Sequence, residues 1–233
     1  DVRLAEDMGY DGVSFSEIAL DPFLSATLGA EHSQRLTVGT SIALAFPRSP
    51  MTAAYMAWNL QVLSKGRFQL GLGSQVRGHN VRRFSVAWTP PGPRMREYVE
   101  ALRAIWDCWQ HGTALNYQGR DYSFSLMTPE FSPGPIPYDM PKVFIAAVNP
   151  YMCRLAGELC DGVLLHGLTT QKYVQEVVLP NLEVGARRAE RSINDVEVSG
   201  GGFILVGDDQ EELQRSFEAA RRRISFYGST QVY

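Results

Sequence analysis

Lysine is scarce in this chain of 233 residues, occurring only as Lys65, Lys142 and Lys172, so nearly all basic charge is arginine. The formal net charge of -3 carries no basic excess, and neither nucleic acid nor a membrane is expected as a partner. Cysteine is equally rare. Cys108, Cys153 and Cys160 show no CxxC or His-Cys spacing, so no metal site is expected. The three read as reduced core thiols of a cytoplasmic protein, with Cys153 and Cys160, seven apart, on one face of a helix. No apolar run approaches the length of a membrane span, and no signal-peptide pattern opens the chain. No GxGxxG fingerprint follows the first strand pattern, which argues against a dinucleotide-binding Rossmann arrangement. Repeats and low-complexity segments are also missing.

Hydrophobic residues make up 45% and charged residues 20%, the balance of a globular chain long enough for one substantial core. Helix and strand patterns alternate along it. "DVRLAEDMGY" reads as a helix ending near Gly9, and "GVSFSE" as a strand. Asp21 and Pro22 open a helix as N-cap and first residue. "LTVGTSIAL" is a buried strand stopped by Pro47 and Pro50, and a helix from Pro50 closes at Lys65-Gly66. "RFQLGLG" is the next strand. A long helix follows with Met95, Val99, Leu102, Ile105, Trp106 and Trp109 on its apolar stripe. A hairpin around Gln118-Gly119 and a Pro-rich loop interrupt the alternation. It resumes with strands "KVFIAAV", "DGVLLHG" and "VEVSGGGFILVG", each followed by a helical pattern. Such alternation in one domain means parallel strands joined by right-handed crossovers. A (β/α)8 barrel needs eight strands and six are visible, so one would precede Asp1 and another follow Tyr233.

"MGYDGVSFSE", "RLTVGTSIALAFPRSP", "LSKGRFQLGLGSQVRGHNVRRF", "RMREYVEALRAIW" and "FIAAVNPYMCRLAGELCDGVLLHG" together resemble the bacterial luciferase-like monooxygenase superfamily. Within it they most resemble the branch of F420-dependent oxidoreductases. The resemblance covers nearly the whole chain in order. It implies one luciferase-like TIM-barrel α/β domain over 1–233, lacking terminal strand(s) in this chain, with an insertion at about 113–141. It also implies F420 or FMN in the C-terminal mouth, a small-molecule substrate and a homodimer. The expected activity is hydride transfer between F420 and a small organic substrate. The alternatives are a monooxygenase using reduced FMN and dioxygen, and a non-catalytic flavin-binding degenerate barrel.

The same resemblance assigns site residues. Relatives with a similar "GTSV" segment carry a non-prolyl cis peptide there, which places one at Ser41-Ile42, behind the cofactor ring. Gly71, Gly73 and Ser74 follow at the end of the next strand, where barrel loops carry function. Gly73 would let the chain approach the ring, and Ser74 or Gln75 would bond its polar edge. Asn149 and Pro150 begin a helix whose N-terminus suits a phosphate, with Ala146, Ala147 and Val148 leading into it. His166, Gly167 and Leu168 complete that pocket. Ile18 stands where sugar-phosphate-oxidising relatives carry a histidine, which argues against that reaction. The catalytic candidates are Glu17, Gln75 and His79. Glu17 reads equally as a proton shuttle or as a rim carboxylate paired with an arginine. Arg77, His79, Arg82 and Arg83 form a loop that is either a solvated face or an anion clamp. Trp58, Phe84 and Trp88 either wall the pocket or pack in the core.

Overall fold

A computed structural model of the chain describes residues 1–229. Helix α1 (Val2–Asp7) leads into strand β1 (Gly12–Phe15), and α2 (Pro22–Glu31) follows, with the Asp21 side chain accepting the Phe23 N–H at 2.8 Å. Strands β2 (Thr37–Thr40) and β3 (Ala43–Leu44) then lie on either side of a break at Ser41-Ile42. Helix α3 (Pro50–Leu63) is capped by Ser49, and Lys65 (φ 57°) and Gly66 (φ 86°) turn the chain into β4 (Phe68–Gly73). Next come α4 (Arg77–Arg82) and α5 (Pro91–His111), the latter ended by Gly112 at φ 70°. The hairpin of β5 (Tyr117–Gln118) and β6 (Ser123–Phe124) precedes β7 (Lys142–Ala146), α6 (Pro150–Leu159) and β8 (Gly162–Leu165). Helix α7 (Gln171–Tyr173) passes through a π turn at Val174–Val178 into α8 (Leu179–Arg188). Strand β9 (Glu197–Gly200) and α9 (Gln210–Gly228) come last.

The main sheet is parallel, ordered β1-β2-β4-β7-β8-β9, with β3 pairing β4 beyond the break. Strand order follows chain order without reversal. That is the winding of a barrel, whereas a Rossmann sheet reverses at its centre. Among the described residues β1 and β9 are edges, so the sheet forms a half-barrel, consistent with the expected lack of terminal strands.

The two faces of β4 show how the core is divided. Phe68, Leu70 and Leu72 point outward to α3 and α5 and are buried with Val38, Val143, Ile145 and Val163. The apolar stripe expected on α5 is buried throughout, and Trp106 Nε1 donates to the Ala54 carbonyl at 3.2 Å. The alternate residues Gln69, Gly71 and Gly73 face the barrel interior. There small residues oppose large ones. A Cβ on Gly71 would overlap the Thr40 carbonyl, and one on Gly162 would overlap the Phe144 ring.

Several elements differ from the sequence expectation. "LTVGTSIAL" is two strands, because the backbone leaves the ladder at Ser41-Ile42. "QVRGHNVRRF" contains the helical turn α4 where a loop was expected. "VEVSGGGFILVG" is a strand only to Gly200, because Gly200, Gly201 and Gly202 all take positive φ, at 90°, 99° and 77°. The helix after Thr170 is interrupted by a π turn just before Pro180, whose missing N–H removes a rung from the α ladder. Cys160 is not on a face of α6 with Cys153, since it follows the helix in extended conformation (φ -106°, ψ 162°). All three cysteines are free and buried. Burial pushes the Cys153 thiol up to about 11 and the Cys160 thiol up to about 12. The Pro-rich segment is laced to α3 and α5: Trp58 Nε1 donates to Gly134 O at 3.2 Å, Gln61 Nε2 to Asp139 O at 2.7 Å and Gln110 Nε2 to Ile136 O at 3.1 Å.

Candidate active site

The peptide bond between Ser41 and Ile42 is cis, at the position expected. Thr40 and the run Ala43–Phe46 are buried, while Ser41 and Ile42 are half-buried and open towards the mouth. The end of β1 grips this segment at four backbone atoms. Ser41 N–H donates to Phe15 O at 2.8 Å, and Ser16 Oγ donates to Ser41 O at 2.7 Å. Glu17 N–H donates to Ile42 O at 3.2 Å, and Glu17 Oε2 accepts the Leu44 N–H at 2.8 Å. The same Oε2 accepts from Arg48 at 2.7 Å, and the second guanidinium nitrogen of Arg48 reaches Asp21 at 2.6 Å. Burial opposes the Arg48 charge, but hydrogen bonds to the two carboxylates outweigh it and its pKa stands above the ordinary value. Of the two readings of Glu17, the arginine-paired rim carboxylate is the arrangement present. Sequence reasoning missed Arg48 and Ser16, and read Asp21 only as the cap of α2. Pro47 and Pro50 marked the end of the strand, but nothing local marks Arg48 between them as the partner of a carboxylate after another strand.

At the end of β4 the glycines serve close packing. Thr40 Oγ1 donates to Gly71 O at 2.7 Å and accepts Gly71 N–H at 3.0 Å. A Cβ on Gly73 would stand 2.5 Å from Ile42 Cδ1, so Gly73 meets the Ile42 side chain. Ser74 is half-buried and its carbonyl accepts from the buried Asn80 side chain at 2.9 Å. Gln75 adopts φ 55°, and its own Oε1 accepts the Val76 N–H at 2.8 Å. His79 is exposed on α4 with Arg77 and Arg82, and Arg83 is exposed just after it. Arg83 donates to the Ile18 carbonyl at 2.9 Å, which ties α4 to the chain after β1. Trp58 is 1% exposed and belongs to the core, not to a pocket wall. Phe84 and Trp88 are half-buried.

Strands β7 and β8 lose burial at the same level. Ile145 and Ala147 are buried, while Ala146 and Val148 are half-buried and Asn149 is exposed. Asn149 Oδ1 accepts the Met152 N–H at 3.0 Å, the expected cap. That cap, with Pro150 lacking an N–H, takes up part of the donor set proposed for a phosphate. Val148 O accepts the Tyr173 hydroxyl at 2.9 Å. His166 Nδ1 accepts the Leu168 N–H at 3.2 Å, so the neutral ring carries its proton on Nε2. Burial lowers the His166 pKa below its ordinary value. Its ring meets the edge of Tyr227 from α9 at 4.4 Å, and Gly167 lies against the Phe203 ring. Leu168 is half-buried.

Ser41, Ile42, Gly73, Ser74, Ala146, Val148 and His166 are thus collected at the C-terminal ends of neighbouring strands. Glu17 is turned into the β1 clasp and His79 lies outside on α4. Among the described residues, no cluster of acidic, histidine and cysteine side chains could hold a metal ion.

The sequence profile of the family described as luciferase-like monooxygenase matches residues 2–232. The chain belongs to this family. An uncharacterized protein of Mycobacterium tuberculosis is 47% identical over 228 residues, covering 98% of this chain and 67% of that protein. A 5,10-methylenetetrahydromethanopterin reductase of Archaeoglobus fulgidus is 28% identical over 229 residues, covering 97% of this chain and 64% of that protein. The solved structure of the coenzyme F420 dependent tetrahydromethanopterin reductase from Methanopyrus kandleri matches with a TM-score of 0.78 at 20% identity. It covers 99% of this chain and 68% of that one. The luciferase-like chain therefore spans about two thirds of the length of these relatives. The family and these reductases are oxidoreductases, and the fold is that of luciferase-like barrels. No helix among the described residues is long and apolar enough to cross a membrane.

Proposed function

We propose that the protein moves a hydride between coenzyme F420 and a small organic substrate, with the coenzyme ring in the mouth of the half-barrel. The observation that carries this reading is the shared loss of burial at Ser41-Ile42, Ala146, Val148 and His166, while the residues beneath them stay buried. A flat ring needs such a shallow hollow with small walls, and Ser41, Gly73, Ser74 and Ala146 supply them. These residues fit the group. When bound, a deazaflavin supplies a carbon that accepts or donates a hydride.

The chain's own residues bind and orient. Ser41 and Ile42 back the ring, while Ser74 and Gln75 lie at its polar edge. The N-terminal turn of α6, entered through Ala147, Val148 and Asn149, faces the phosphate side. His166, Gly167 and Leu168 follow β8 on the same side. Arg77 and Arg82 on α4 and Arg83 at its end are exposed and suit an acidic tail, which favours F420 over FMN. The family's description as monooxygenases supports the second reading, reduced FMN with dioxygen.

Anaerobic titration of the purified protein with F420 and with FMN, followed by absorbance and fluorescence, tests the choice. Saturable uptake of F420 with weak or no uptake of FMN is expected. Uptake of FMN alone overturns the coenzyme assignment. Uptake of neither overturns the site.

A further inference from the structure

We propose that Glu17 is a positioning residue: its carboxylate, held by Arg48, fixes the segment Ser41–Leu44 that backs the mouth. The role as a wall for the coenzyme rests on the reading above, whereas the clasp itself does not. A proton shuttle needs a lone pair free to face the reacting atoms. Glu17 Oε2 is already occupied by the Leu44 N–H at 2.8 Å and by Arg48 at 2.7 Å, which leaves Oε1 as the one oxygen outside the clasp, and the side chain is only 9% exposed. The geometry also gives the carboxylate leverage. Leu44 is in register with Gly73, and Ala43 with Leu72, so a shift of Leu44 displaces the end of β4 as well. The Ile42 side chain lies directly over Gly73 and moves with them. Arg48 adds a third anchor, because its other nitrogen holds Asp21, whose Oδ1 caps α2. One guanidinium thereby ties the chain just after β1, the cap of α2 and the end of β3. It donates to Leu44 O at 3.1 Å as well, which closes the ring of bonds around Leu44.

Two readouts on the full chain test this. The first is amide hydrogen exchange at residues 41–44 without coenzyme, in wild type, Glu17→Ala, Glu17→Gln and Arg48→Ala. Exchange at Leu44 is expected to accelerate about tenfold or more in Glu17→Ala and Arg48→Ala, and less in Glu17→Gln, whose amide oxygen still accepts. The isosteric Glu17→Gln, with circular dichroism to verify folding, keeps the test valid if the alanine variant does not fold. The second readout is F420 affinity and the absorption spectrum of the bound coenzyme. Both are expected to change in the same direction in Glu17→Gln and Arg48→Ala, with the double variant no worse than the more severe single one. Wild-type exchange at Leu44 in folded variants overturns the clasp. Wild-type affinity and spectrum in variants with accelerated exchange overturn its role at the coenzyme. If wild type takes up neither F420 nor FMN while exchange accelerates as expected, the functional reading falls and the clasp stands.

Discussion

Glu17 and His166 are both ionisable groups at strand ends, yet their surroundings differ in kind. Glu17 is anchored by an ion pair, whereas His166 is held by a ring contact and a bond from the Leu168 N–H, with burial lowering its pKa from the ordinary 6.5. The folded state therefore resists protonation that the unfolded chain accepts. The His166 contribution is fully present above pH 6.5 and is lost as pH falls through that value towards the lowered folded pKa. Protonation would also turn Nδ1 from acceptor to donor and break the bond from Leu168, which acts in the same direction. Replacing His166 by Gln should make the unfolding temperature less sensitive to acid. The difference between wild type and His166→Gln should narrow from pH about 7.5 to about 5 in thermal melts, and a difference that widens would refute the assignment. At this scale the sequence was partly legible. Caps such as Asp21 and Asn149 could be read because their partners are two or three residues away. Which arginine pairs with Glu17 could not, because Arg48 lies 31 residues away and meets it only in the folded chain.

Helices α6 and α8 pack more closely than their sequences suggest. A Cβ on Gly157 would overlap the Leu182 carbonyl, and one on Gly185 would overlap the Arg154 carbonyl, so each glycine admits the other helix's backbone. Glycine in an exposed helix normally costs about 0.5–1 kcal/mol relative to alanine, and substitution there stabilises. Here the sign reverses. Gly157→Ala and Gly185→Ala are each expected to destabilise by about 1–3 kcal/mol, through overpacking against main chain that cannot rotate away. Urea unfolding monitored by tryptophan fluorescence measures this, and a neutral or stabilising result would show that the helices separate at little cost. The positions of these helices were legible from caps and periodicity, but their separation was not. Element boundaries failed where the backbone departs from regular geometry, at Gly200, Gly201 and Gly202 and at the π turn before Pro180, whereas the break at Ser41-Ile42 was reached only through the family resemblance. Each departure is a local conformation that a hydrophobic pattern does not encode.

At the scale of the whole molecule, α2 is apolar on both sides. Phe23, Ala26 and Ala30 are buried against the half-barrel, yet Leu24 and Leu28 are 71% and 61% exposed one helical turn apart. A helix that is apolar all round is normally buried all round. Leu4 on α1 and Met8 just after it are also exposed, at 59% and 66%. The formal net charge of -3 opposes self-association only weakly. The dimer implied by the family resemblance would cover this face if a two-fold axis beside α2 set Leu24 and Leu28 against the same residues of the other copy. Burying each leucine fully would contribute roughly 1.5–3 kcal/mol, in an interface of about 1,200–2,000 Å² if it is to be stable. Sedimentation velocity of wild type should therefore show a dimer, and Leu24→Glu with Leu28→Glu should sediment as a monomer. The double variant should fold as wild type does, because both side chains point away from the core. A wild-type monomer, or a dimer indifferent to two buried carboxylates, would place the subunit contact elsewhere or remove it. The sequence pattern gave little warning of this surface, because short apolar helices look alike whether one face is covered or two.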